Sequence, residues 1–203
     1  MEIIAREVLS SGIHKIVTSD GSSFYIRPNY LKYVPINDFL LLNDFNDEQS
    51  NDILDSGIIT ACEFKAVEYL SRCEQCRTGL FKKILDKGYQ KEYIEPALDY
   101  LESINYLSDE RFCKSWLNMR KINHFEGRTR LYNELLSRGV KKETVNYALD
   151  EFFMENDEDK IAEQCFNKLV RKGKSGNKLI QSMIQCGFSY KLSQKLMSEI
   201  NRL

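Results

Sequence analysis

Apolar positions along the chain change their period near residue 45. Before that point, Ile3 to Val8, His14 to Ser19 and Ser23 to Arg27 are short stretches rich in β-branched and aromatic residues, which suit a pleated, half-buried surface. Asp20-Gly21 separates the last two and is a dipeptide suited to a hairpin turn, while Ser11-Gly12 supplies another reversal. Pro28 and Pro35 end strand character, and Phe39 to Leu42 is a short apolar run that fits a last strand or the first turn of a helix. The pattern predicts a β-rich segment over residues 1–45, too small to be stable unless it packs on something else.

From Asn46 onward apolar residues recur at helical spacing. The expected helices are Asp47 to Ser56, Thr60 to Arg72, Gly79 to Lys87, Lys91 to Ile104, Ser108 to Ile122, Thr129 to Ser137, Lys141 to Met154, Asp157 to Lys172, Asn177 to Gln185 and Ser189 to Asn201. Thr60-Ala-Cys-Glu63 has the form of a capping box, and Ser108-Asp109-Glu110 places an N-cap and first-turn acids ahead of Phe112. Pro96 falls near the start of its helix, where amides have no intrahelical partner and a proline removes no bond.

The segments ending in Gly88, Gly139 and Gly187 superimpose as an internal repeat. Eight, four and three positions before each glycine stand apolar residues: Leu80, Ile84, Leu85; Leu131, Leu135, Leu136; Leu179, Met183, Ile184. That spacing is one face of a short helix, with the glycine just past its end, where a left-handed backbone is cheapest without a Cβ. Tyr89, Val140 or Phe188 follows, and then a second amphipathic helix through Ile94, Leu98, Leu101; Val145, Leu149, Phe152; or Leu192, Leu196, Ile200. A longer helix precedes each short one, so the unit is three helices. Residues 46–59 read as a linker helix and the repeats as 60–106, 107–156 and 157–203. The expected fold is mainly α: an elongated array of three tandem three-helix repeats preceded by a small β-rich hairpin segment. Such a stack has a long continuous face suited to tracking along a filament or groove.

A net charge of −1 conceals strong polarity along the chain. Residues 1–64 hold four Lys/Arg against ten Asp/Glu, residues 110–148 nine against four, and residues 165–191 six basic residues with no acid. This asymmetry points to a directed surface facing a polyanion or an acidic protein. The cations that cluster around the turns into the short helices are Arg111, Lys114, Arg120, Lys121, Arg128, Arg130, Lys168, Arg171, Lys172, Lys174 and Lys178. Arginine pairs bidentately with phosphate and carboxylate alike, so charge does not choose between nucleic acid and protein. Trp116 and Phe125 nearby read as packing more than as base-stacking platforms, since Phe112 and Trp116 share a helical face.

No catalytic constellation emerges. His14 and His124 lie in unrelated segments and read as surface or loop residues. Cys73-Glu-Gln-Cys76 is a lone CxxC, and the six cysteines as a set read as small, buried, reduced apolar residues without disulfides. Gly173-Lys174-Ser175 mimics the end of a phosphate loop but follows a helix where a strand is required. Asp157, Glu158 and Asp159 are helix-start acids, not a metal cluster. With no run of 18 apolar residues and acids from Glu2 onward, no membrane span, targeting segment, metal or cofactor is expected, and the chain should be a cytoplasmic protein and not an enzyme.

The repeat and its strings, Ala66-Val-Glu-Tyr-Leu-Ser-Arg72, Leu85-Asp-Lys-Gly-Tyr89, Tyr106-Leu-Ser-Asp-Glu-Arg-Phe112, Gly127-Arg-Thr-Arg-Leu131 running on to Gly139, and Leu179 to Phe188, resemble the RecX regulatory protein family over roughly residues 60–200. The β-rich start is similar to an extra N-terminal segment of some members, and Cys113 stands where the family usually has alanine. The resemblance implies a negative regulator of the RecA recombinase. Such a regulator lodges in the groove of the RecA filament on single-stranded DNA and inhibits ATP hydrolysis and strand exchange, by blocking extension or promoting disassembly. The acidic N-terminal half places contact energy mainly on RecA, with direct DNA binding weak or secondary and the protein a monomer. Two other readings stay open: a helix-turn-helix DNA-binding protein and a helical-repeat adaptor for another partner.

Overall fold

The structure, a computed structural model, describes residues 1–200, apart from the side chains of residues 123, 199 and 200. The expected helix end at Asn201 and the core position of Ile200 therefore lie outside the described residues. The described residues divide into two compact units, residues 1–73 with 80–107 and residues 74–79 with those from 108 onward.

In the first unit, β1 (Ile3–Val8), β2 (His14–Thr18) and β3 (Ser23–Ile26) form an antiparallel sheet in sequence order. Lys15 pairs with both Glu7 and Tyr25, and the Asp20-Gly21 turn closes as the dipeptide predicts. Thr18 N donates to Ser22 O at 2.9 Å, and the Asp20 carboxylate accepts from Ser22 N at 2.9 Å. Alternate residues of β2, His14, Ile16 and Thr18, point into a core with Ile3, Ile26, Val34, Phe39 and Ile53. This corrects the surface expectation for His14. Its ring lies 5.6 Å from Phe39, edge-on, and burial, with Arg6 nearby, lowers its pKa. His124 is an exposed residue just past a helix, as expected. Of the run Phe39 to Leu42, residues 39–41 are helical, in α1 (Ile36–Leu41), and Leu42 is its extended C-cap.

The largest departure is in α2 (Asp47–Leu70), one continuous helix where two were expected. Asn46 caps it: its side chain accepts from Gln49 N at 2.9 Å, and Gln49 Oε1 accepts from Asn46 N at 3.2 Å. Thr60 and Glu63 are not a capping box but buried mid-helix residues. Thr60 Oγ1 donates back to Ser56 O at 2.8 Å and accepts from Arg27 N at 2.8 Å. Glu63 accepts from Arg27 Nε at 2.8 Å and from Tyr30 Oη at 2.7 Å. The residue types that cap a helix in isolation here join the β-rich segment to the helix flank. Gly57 permits the same approach, because a Cβ there would lie 2.8 Å from the Phe24 ring.

Farther up α2, the buried Asp52 carboxylate accepts from the amides of Lys32, Tyr33 and Val34, at 3.1, 2.9 and 2.9 Å. It satisfies three donors of a segment that belongs to no helix or strand. Asp52→Ala should lower stability by about 2 kcal/mol, because the amides lose an acceptor that water replaces incompletely. Urea unfolding with no shift in midpoint would show that the segment does not depend on this carboxylate.

Helix α2 packs with α4 (Lys91–Ser103) and the end of α3 (Arg77–Leu85), burying Ile59, Cys62, Ala66, Leu80, Ile84, Ile94, Leu98 and Leu101. Pro96 is the sixth residue of α4, past the first turn, so it does remove a bond, contrary to expectation. The carbonyl left without its donor belongs to the exposed Glu92, where water is available.

The second unit holds two clusters. Helices α5 (Asp109–Asn123), α6 (Arg128–Ser137) and α7 (Lys142–Glu155) enclose Cys113, Trp116, Leu117, Leu131, Leu135, Val145, Leu149 and Phe152. Helices α8 (Glu158–Arg171), α9 (Gly176–Gln185) and α10 (Tyr190–Ile200) enclose Ala162, Cys165, Phe166, Leu179, Met183, Phe188 and Leu196. Ser108 and Asp157 cap α5 and α8 through their side chains.

The repeat glycines have φ of 91° at Gly88, 84° at Gly139 and 96° at Gly187, so all three short helices end in a left-handed residue. At Gly187 the Schellman pair is complete, with Phe188 N donating to Met183 O and Gly187 N to Ile184 O. The residues eight and four before each glycine are buried, whereas Leu85 and Ile184, three before, are 44% and 45% exposed.

Candidate cationic groove

The cations singled out by sequence fall into two groups. Those of α5 and α6, apart from Lys121, are engaged by acids. Arg111 Nε lies 2.8 Å from Glu74, Lys114 Nζ bridges Glu110 at 3.0 Å and Glu151 at 2.9 Å, and Arg128 meets Asp150 at 2.6 Å. Arg120 binds Glu126 through Nε at 2.6 Å and Nη2 at 3.0 Å, and it also reaches Glu134 at 3.0 Å. Arg130 Nε lies 2.7 Å from the same buried Glu126, and its Nη1 donates to Gln185 O at 3.1 Å. Hydrogen bonding to Glu126 raises the Arg120 pKa still further. These side chains first serve the fold, linking α5, α6, α7 and the end of α9. Trp116 belongs to the same structural role, buried with Arg138 4.8 Å above its ring.

The second group is on α8. Lys168, Arg171 and Lys172, with Gln164, Asn167 and Phe125, line an open groove of about 530 Å³. Among the described residues the three cations have no ion pair with an acid, and no acidic side chain lines the groove. Helical periodicity builds it: Gln164, Lys168 and Arg171 fall on one stripe of α8, with Asn167 beside them. Phe125, in the segment between α5 and α6, supplies the facing wall, with Lys168 Nζ 5.3 Å from its ring centroid. A smaller recess lined by Lys121, His124, Phe125 and Gln164, and also by Arg120 and its partner Glu126, adjoins it. Lys174 turns instead to Ser182 Oγ at 2.7 Å, and Lys178 is an exposed residue of α9 that does not line the groove.

One guanidinium, two ammonium groups, two side-chain amides and an aromatic face suit an anionic chain with flat groups along it. The same cations also offset the negative C-terminal end of the α8 dipole. Sequence reasoning found the charges but not Gln164 or Asn167, and it placed Phe125 in packing. The i, i+4, i+7 spacing of Gln164, Lys168 and Arg171 was the available signal.

Among the described residues no group of three or more His, Cys, Asp or Glu could hold a metal ion, and no disulfide forms. Cys73 is exposed, contrary to the expectation that the cysteines are buried, and Cys186 is half-buried. Burial pushes the Cys62 and Cys113 thiols up to about 12, which leaves them inert. Among the described residues no helix is long and apolar enough to cross a membrane.

A three-stranded sheet followed by successive amphipathic helices, four of them followed by a left-handed glycine at Gly88, Gly139, Gly173 and Gly187, defines the class of helical-repeat proteins. No family model matches the chain. Regulatory protein RecX of Treponema pallidum (strain Nichols) is 30% identical over 152 residues, which are 75% of this chain and 93% of that protein. Regulatory protein RecX of Clostridioides difficile (strain 630) is 23% identical over 163 residues, 78% of this chain and 76% of that protein. The chain belongs to the regulatory protein RecX family. The crystal structure of a regulatory protein RecX shares its fold at a TM-score of 0.76 and 18% identity, covering 97% of this chain and 98% of that one. RecX from Lactobacillus salivarius gives 0.62 and 19%, covering 72% and 98%.

Proposed function

We propose that the protein is a non-enzymatic, cytoplasmic negative regulator of RecA. It binds as a monomer in the groove of the RecA filament on single-stranded DNA, inhibits ATP hydrolysis and strand exchange, and needs no cofactor. Family membership supports a RecA regulator. The observation that carries the finer reading is the α8 groove, where Lys168, Arg171 and Lys172 meet Phe125 without competing acids. Cations already satisfied by internal carboxylates gain little from a partner, because each must give up one ion pair to make another. Lys121, Lys168, Arg171 and Lys172 therefore carry more of the contact than Arg111, Lys114, Arg120, Arg128 or Arg130, with Lys174 and Lys178 at its margin.

Three-helix units over 60–106, 107–156 and 157–203 would offer repeated contacts to neighbouring protomers, so binding favours the assembled filament over single subunits. Inhibition follows from that preference, since a ligand shifts an equilibrium only by its differential affinity for the two states. Direct contact with DNA is secondary.

The test is DNA-stimulated ATP hydrolysis by RecA of the same organism, titrated with wild type and with Lys168→Glu/Arg171→Glu. The double variant should need about tenfold more protein for half-inhibition and show a weaker dependence on salt. Unchanged potency with intact helicity would move the contact off α8. Tight sequence-specific duplex binding without RecA would favour a transcription factor.

A further inference from the structure

Helix α1 and its C-cap turn apolar side chains outward. Phe39 alone of residues 36–42 is buried, whereas Ile36, Leu40 and Leu42 are exposed and Leu41 is 80% exposed. The exposure does not come from a loose segment. Arg6 donates through Nη1 to Leu40 O at 2.7 Å and through Nη2 to Leu42 O at 3.2 Å, and its guanidinium lies 4.8 Å from the centroid of the Phe39 ring. Aliphatic side chains held outward on a fixed element mark a contact surface. The chain around them is acidic: residues 33–64 hold seven Asp/Glu and no Lys/Arg. Asp38, Asp44, Asp47 and Glu48 stand within seven residues of Leu41 along the chain, and Glu2 joins them through its bridge to Asp44. Among the described residues these acids form no ion pair, and Arg6, the cation that reaches α1, is turned to the two carbonyls.

The α8 groove has the opposite character. Phe125 gives it an apolar wall, no acid lines it, and residues 165–191 hold six basic residues and no acidic one. Each surface thus carries the charge that the other leaves unpaired, beside apolar groups that water covers poorly. We propose that a second copy of this chain covers the α1 face, with Leu40, Leu41 and the surrounding acids of one copy seated against Phe125, Lys168, Arg171 and Lys172 of the next. The two surfaces are different, so the contact is head to tail. Every copy leaves an α1 face or a groove unfilled at the end of the assembly, and association continues into short chains instead of closing at a dimer. Exposed charges hold the contact, so it is weak and screened by salt. The groove is the one assigned above to RecA, and docking there excludes a second occupant. A copy bound to the filament is therefore single, and self-association holds part of the regulator in reserve.

Self-association does not depend on the RecA reading and is tested without RecA, on the purified full chain. In sedimentation velocity at about 0.01 M salt, where charges act over about 30 Å, the mean mass should rise continuously with protein concentration. At about 1 M salt, where their reach is about 3 Å, it should return to that of the monomer. Leu41→Lys and Lys168→Glu/Arg171→Glu should each weaken association by about tenfold or more. Mixed in equal amounts, the two variants should form a one-to-one complex that grows no further. One contact is still possible in that mixture, between the intact groove of the first and the intact α1 face of the second. In wild type, carbodiimide treatment of mixed light-isotope and heavy-isotope copies should form amide bonds from Lys168 or Lys172 of one copy to Asp44, Asp47 or Glu48 of another. A wild type that stays monomeric at every concentration in low salt overturns the proposal. So do bonds between copies confined to other residues, or a variant mixture that stays monomeric with helicity intact. The two wild-type measurements decide it even where a variant fails to fold.

Discussion

Gly187→Val is expected to lower unfolding stability by on the order of 4 kcal/mol, the combined effect of a strained backbone and a blocked contact. The residue has a φ of 96°, a conformation that costs a β-branched side chain about 1–3 kcal/mol. In addition, a Cβ there would lie 2.6 Å from both the Cβ and the amide nitrogen of Arg130, and 2.8 Å from the carbonyl oxygen of Gly127. Those are backbone or near-backbone atoms, and the hydrogen bond from Gly127 N to Cys186 O holds them in place. The start of α6 cannot withdraw without giving up that bond. Gly88→Val supplies the comparison. Its φ is 91°, but nothing lies within 4 Å of the added Cβ, so only the conformational part of the loss should appear. Urea unfolding followed by circular dichroism would measure both. Equal losses at the two glycines would mean that the approach of α6 to the end of α9 contributes nothing.

Arg27→Ala should be about as damaging, at roughly 3–5 kcal/mol, because it strands a buried carboxylate. Arg27 and Glu63 are 7% and 4% exposed. The guanidinium meets both carboxylate oxygens, donates to Ser11 O at 3.1 Å and lies 4.3 Å from the Tyr100 ring centroid. Hydrogen bonding to Glu63 raises its pKa, and burial together with the same carboxylate raises that of Tyr30. Without Arg27, Glu63 keeps only the Tyr30 hydroxyl among these donors. The double replacement Arg27→Met/Glu63→Leu removes both charges and should recover most of the loss, since a buried ion pair is often replaced by apolar groups at little net cost. A double variant as unstable as the sum of the singles would show that packing, not the stranded charge, sets the loss.

The hairpin turn and the helix-ending glycines were legible because each follows from local backbone chemistry. Asp20-Gly21 and Gly187 do in the fold what their neighbours along the chain suggest. Thr60 and Glu63 misled for a physical reason: the side-chain acceptors that end a helix in isolation equally serve a buried partner, and Arg27 is 36 residues from Glu63. His14 misled because its neighbours do not reveal which face of β2 is covered. In the candidate site the basic residues were legible as charge, yet whether a cation is committed depends on acids from distant segments. Glu74 is 37 residues from Arg111, and Asp150 is 22 from Arg128. The open groove on α8 is what remains after those internal pairs are made.

The division of the core into four clusters has its own thermodynamic consequence. Cooperativity arises where apolar side chains share neighbours; Ile161 joins the two clusters of the second unit, while clusters that share no side chain are expected to differ in opening free energy. Local opening of α8 to α10 exposes Cys165, Phe166 and Met183 while leaving the Arg27–Glu63 pair and its cluster intact. A ladder of partly open states beneath global unfolding is the expected result, and amide exchange would read each rung separately.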